Sequence, residues 1–205
     1  MIGNQDAPIR PPTHEALWPK DLFEKGIGWV IVARFKSAGQ RVEAGVFLVD
    51  VFCLGVKLAY YETCDRQDYL ERIRGHYQSD FPMVAVEPWC ARNLVEQAVE
   101  YARGLGFAPH PDYKKAARAF GGLRAEQCAQ HFTFGREGKP FYCRGPRETE
   151  EQARRIAWQL EKRCGRGNYH YWSSTVRMLS EDKFSRNAGF FMHVNCATSK
   201  WSGKF

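Results

Sequence analysis

Apolar positions are distributed along this chain in two recognisable patterns. Runs at 28–36 (GWVIVARFK) and 43–52 (EAGVFLVDVF) are rich in β-branched and aromatic residues and flank Ser37-Ala38-Gly39-Gln40, which predicts a β-hairpin with a loop of about four residues. Gly55 marks a bend, after which 56–61 returns as a third strand. A helical stretch is expected from Asp65 to about Tyr77, with Tyr69, Leu70 and Ile73 on one face. The helix expected over 88–105 is stronger, because Ala91, Leu94, Val95, Ala98, Ala102 and Leu105 recur at helical spacing and Gly106 closes it. Pro109 and Pro111 then forbid continuation, and Asp112 opens a short helix that ends at Gly121-Gly122.

Farther along, 131–134 and 140–143 read as a second hairpin leading into a helix that begins near Pro146. Glu148, Glu150 and Glu151 are expected in its first turn, Lys162 and Arg163 in its last, and Gly165 just past its end, all favourable for the helix dipole or the terminal geometry. Ala153, Ile156, Ala157, Leu160 and Cys164 form its apolar stripe. The order of elements predicts an α+β fold, an antiparallel sheet built from two hairpins with helices packed on it. Residues 1–20, with four prolines and no periodicity, are expected to form an irregular arm, 21–165 the α+β domain, and 166–205 a basic, aromatic extension packed on the domain or trailing from it, with one strand near 190–194. A ribonuclease-H-like start is a fold-level analogy that carries no activity.

Composition narrows the class of protein. No apolar run approaches the roughly 18 residues of a membrane span, and the amino terminus lacks the pattern of a signal peptide, so a cytoplasmic protein without membrane association is expected. Seven scattered cysteines, with no pair at CxxC spacing, argue against zinc knuckles, thioredoxin-type sites and a compact disulfide framework, and are read as free packing residues. Six histidines without HxH or HxxxH spacing give no metal signal, and no cofactor motif is present. The formal charge of +7 is uneven: residues 1–145 carry 19 Lys+Arg against 17 Asp+Glu, whereas 146–205 carry 11 against 6. A basic C-terminal third suggests an anionic partner, most often nucleic acid.

Two groups of residues are candidates for function. In the run 46–57 (VFLVDVFCLGVK), Asp50 and Lys57 are the residues that packing explains least. Asp50 could bind a metal ion or act as acid/base in a hydrolase or metal-dependent nuclease, with Glu62, Asp65 and Glu87 as further acids; otherwise it caps a backbone amide or pairs with Lys57. Cys53 with His131 is the minimal thiol and imidazole pair, although Phe52 and Leu54 beside it favour a packing role. His110, between two prolines, is read as part of a connector, and His170 is open to either reading. The second group is basic and aromatic: Arg154, Arg155, Trp158, Lys162, Arg166, Tyr169 and Trp172, with Tyr171 nearby. Arginines beside exposed aromatics suit unpaired bases, single-stranded RNA above DNA, against which stands a salt-bridged face with Arg155 paired to Glu151. The leading expectation is thus a nucleic-acid-binding accessory protein; a protein-docking module without catalysis is the third class.

Gly26-Ile-Gly28 followed by a strand, then GVFLVDVFCLGVK at 45–57 and a helix ending YARGLGFAPHPDY at 101–113, resembles an uncharacterised bacterial protein family over about residues 20–145. The resemblance implies no activity and supplies no site residue.

Overall fold

A computed structural model describes residues 13–172. In chain order the elements are β1 (His14–Pro19), α1 (Leu22–Lys25), β2 (Ile27–Lys36), β3 (Arg41–Asp50), β4 (Gly55–Asp65), α2 (Arg66–Asp68), α3 (His76–Asp80), β5 (Met83–Val86), α4 (Pro88–Gly104), α5 (Tyr113–Ala116), β6 (Phe141–Cys143), α6 (Glu150–Cys164) and β7 (His170–Trp172). Five strands form one antiparallel sheet in the order β4-β3-β2-β1-β5, with helices packed on it, so the fold is α+β.

The first hairpin forms as the sequence implies, with Val30 opposite Phe47 and Ile31 opposite Val46, and β4 continues the meander. Successive side chains enter opposite cores. Ala16, Trp18, Val30, Val32, Phe47 and Val49 meet α4, while Leu17, Trp29, Ile31, Val42, Ala44 and Val46 meet Tyr69, Ile73 and Tyr77. Coverage of both faces explains why these strands read as continuous apolar runs rather than as an in/out alternation. At the bend, Gly55 has φ +64°, and a Cβ there would lie 2.6 Å from the Ala98 carbonyl oxygen, so both the turn and the close approach of α4 require glycine.

The helix expected from Asp65 is present. Asp65 caps it by accepting from the Asp68 amide at 2.8 Å, and between α2 and α3 the backbone widens into a π-helical stretch, Tyr69–Gly75. Tyr69, Ile73 and Tyr77, each four residues apart, all reach the core, as a turn wider than 3.6 residues permits.

Three expectations need correction. The arm is not irregular throughout, because β1 lies inside the sheet, paired to β2 and β5. Flanking prolines hide it: a six-residue strand stabilised on both edges has little local signal. β5, between Pro82 and Pro88, escaped notice for the same reason. The second hairpin is also absent. Residues 131–134 are not a strand, since Phe132 is drawn into edge contacts with Trp18 (6.0 Å between centroids) and stacks on Phe23 (5.8 Å), while Phe134 stacks on Tyr101 (5.2 Å). β6 pairs instead with β7, in parallel. The third correction concerns cysteine: Cys90 and Cys128 form a disulfide, whereas Cys53, Cys64, Cys143 and Cys164 are free.

A smaller third core of Cys53, Leu54, Leu105, Tyr142, Ala153 and Leu160 holds the β6-α6-β7 unit against the β3-β4 turn and the end of α4. The chain is therefore packed on the domain as far as Trp172. The expected strand near 190–194, Cys196 and the prolines before residue 13 lie outside the described residues. No helix among the described residues is long and apolar enough to cross a membrane.

Candidate functional site

α6 presents the basic and aromatic group. Its first residue, Glu150, is four residues later than Pro146 implied: Thr149 is the N-cap, its hydroxyl accepting from the Gln152 amide at 3.2 Å while the Gln152 side chain accepts from the Thr149 amide at 2.7 Å. Ala153 and Leu160 are buried, which turns Arg154, Arg155, Trp158 and Lys162 to solvent. Trp158 is 63% exposed, and the Lys162 ammonium sits 5.2 Å from its ring centroid. Arg155 pairs with Glu151, as the competing reading anticipated, but Arg154 and Arg166 make no ion pair among the described residues. On β7, Trp172 is 56% exposed, and Tyr171 stacks on Tyr142 at 5.7 Å. Tyr169 packs against the third core, so its ring is spent on the fold rather than presented as a platform.

The apolar run resolves into a buried polar junction. Asp50, 8% exposed, ends β3, and one carboxylate oxygen accepts from the Phe52 and Cys53 amides, each at 2.9 Å. It is thus the cap of the β3-β4 turn. Burial pushes its pKa up to about 6, against the opposing influence of Lys57 and of the turn amides. Lys57 pairs with Glu148 at 2.7 Å. Glu148, placed by sequence in the first turn of α6, instead precedes that helix and also accepts from the Tyr142 hydroxyl at 2.6 Å and the Gly145 amide at 2.9 Å. Burial opposes its ionisation, but the Lys57 charge and these donors prevail and hold its carboxyl below the usual range.

The remaining candidates are dispersed. Cys53 is sealed, and burial, with Asp50 nearby, pushes its thiol far up, which suits packing and not nucleophilic attack. His131 is exposed, and no hydrogen bond joins the two among the described residues. Glu62 pairs with Arg72, Asp65 caps α2, and Glu87 is exposed before α4, so none is gathered around Asp50. No group of three or more His, Cys, Asp or Glu among the described residues is placed to hold a metal ion. His110 serves the connector, its amide donating to the Val56 carbonyl at 2.9 Å and its ring accepting from the Asp112 amide at 3.2 Å. His170 is exposed, its ring 6.4 Å from that of Phe141. An open groove of about 430 Å³ is lined by Phe23, Phe52, His131, Phe132 and Arg136.

Asp50 yields a pH test. Its carboxyl binds a proton more tightly in the folded chain than in the unfolded one, whose value is near 3.8. Between these values the folded state holds more protons, so the contribution of Asp50 to stability falls as pH rises and is constant above about 6. Asp50→Asn keeps the acceptor and removes the charge. Urea unfolding of both chains at pH 4 and pH 7 is expected to show the stability difference moving by about 2 kcal/mol in favour of the variant at the higher pH. Parallel profiles would mean that Asp50 does not titrate as its burial implies.

No protein-family model matches the chain, and no curated protein or solved structure matches it either. The functional reading therefore stands on the α6 and β7 surface itself.

Proposed function

We propose that this protein is a nucleic-acid-binding accessory protein of the cytoplasm whose preferred ligand is single-stranded RNA, bound across α6, Arg166 and β7. The observation that carries the reading is Trp158: a large ring 63% exposed on a helix whose neighbouring turns place Arg154 and Lys162 beside it. A base stacks on such a ring whatever its identity, while cations within a helical turn neutralise the adjoining phosphates. Trp172 offers a second exposed ring on the same packed unit. The Arg155–Glu151 pair is exposed and weak enough to exchange for a phosphate contact.

Fluorescence anisotropy with a labelled single-stranded RNA tests this. Affinity is expected to fall steeply with salt, with a log–log slope of roughly −2 for about three neutralised phosphates. Trp158→Ala, at a surface position that leaves the fold intact, is expected to weaken binding by about tenfold. Absence of binding at low salt, or unchanged affinity in the Trp158 variant, rules this face out as an RNA site.

A further inference from the structure

The Cys90–Cys128 disulfide joins two unlike environments. Cys90 is buried and is the third residue of α4, a 17-residue helix; Cys128 is half-exposed and follows the short 3₁₀ turn Ala125–Gln127. Between Cys128 and β6 the chain has no regular element, yet Gln130, His131, Phe132 and Thr133 form one wall of the groove. That wall is anchored at few points. Upstream, the Arg92 guanidinium donates to the Leu123 carbonyl; downstream, the Gly135 amide donates to the Val51 carbonyl at 2.9 Å. Between them stand the disulfide and the ring contacts of Phe132 and Phe134.

We infer that Cys90–Cys128 is a redox-active disulfide that exchanges with dithiol reductants and whose reduction releases the groove wall between Leu123 and Gly135. Cys128 is the more exposed residue of the pair, so an external thiolate attacks its sulfur, forming a mixed disulfide and breaking the bond to Cys90. The electron pair leaves on the Cys90 sulfur, in the first turn of α4. Arg92, already engaged by Glu96 and the Leu123 carbonyl, and the exposed Glu87 are the charged groups closest in sequence on that turn. The second thiol of the reductant then attacks the mixed disulfide, leaving Cys128 as a thiol and the reductant as a cyclic disulfide. Two electrons and two protons pass in all from the dithiol to the cysteine pair.

In the oxidised state the disulfide ties the segment that leads into this wall to α4. In the reduced state the packing of the 3₁₀ turn on α4 and the rings of Phe132 and Phe134 hold the stretch between its end anchors. Hydrogen exchange read by mass spectrometry on the whole chain, before and after treatment with dithiothreitol, tests the inference. Peptides covering 124–134 are expected to exchange about tenfold faster after reduction, with those of α6 unchanged. Cys90→Ser/Cys128→Ser is expected to show the fast pattern without reductant, and the arm on the unmodified chain does not depend on that variant folding. Brief exposure to the monothiol glutathione, followed by acid quenching and peptide mapping, is expected to place the adduct on Cys128. Unlinked cysteines in the oxidised chain, an adduct on Cys90, or equal exchange of 124–134 in both states would overturn the inference.

Discussion

Glu148→Ala is expected to lower stability by about 4 kcal/mol, the scale for removing one partner of a buried ion pair. The carboxylate receives three donors at once, from Lys57, the Tyr142 hydroxyl and the Gly145 amide, and the Lys57 and Glu148 side chains are only 18% and 19% exposed. Alanine leaves all three without an acceptor where water has little access. A further consequence is local: the junction ties the start of β4 to the loop before α6, so the β6-α6-β7 unit should loosen first. Urea unfolding measures the total, and a cycle with Lys57→Met apportions it, because the double variant removes both charges and is expected to recover part of the loss. A cost below about 1 kcal/mol in the single variant would place the pair among ordinary surface ion pairs.

Loss of the disulfide is expected to have an effect of similar size through a different route. Cross-linking residues 38 apart restricts the unfolded chain, and loop-closure entropy for that separation amounts to about 4 kcal/mol. Cys90→Ser/Cys128→Ser and the reduced parent chain should therefore unfold at the same urea concentration, both well below the oxidised parent. Coincidence of all three curves would show that the link does not constrain the unfolded ensemble. The two effects can be told apart, since the Glu148 substitution acts on the C-terminal unit and is insensitive to reductant.

Much of the fold was visible in residue order. The first hairpin, β4, the helix after Asp65 and α4 all appear where periodicity places them, because each carries either a dense β-branched run or an apolar stripe at helical spacing. What failed was short or dependent on partners. His131 to Phe134 has strand-like composition, but its phenylalanines gain more by entering the aromatic contacts around Trp18 and Tyr101 than by pairing with 140–143. β1 and β5 together contribute ten residues to the sheet, and neither would form without the other and β2.

The candidate site divides in the same way. Arg154, Arg155, Trp158 and Lys162 were legible as an outward face because helical spacing alone turns them away from Ala153 and Leu160. Tyr169 was not, since only the packing of β7 beside β6 brings it to the third core. Glu148 was misplaced because α6 starts four residues later than Pro146 implied, which leaves it ahead of the helix and converts a solvated first-turn acid into the centre of a buried junction.

Sequence by itself determined the α+β class, the principal strands and helices, and the exposure of the basic face on α6. These follow from local periodicity, which is a property of neighbouring residues. The tertiary structure alone decided that Asp50 caps a turn, that Lys57 meets Glu148 across 91 positions and that Cys90 meets Cys128. Such pairings are not encoded at any fixed spacing. They exist because burying the sheet on both faces brings distant segments to a common boundary, where each polar group must find a partner as water is excluded.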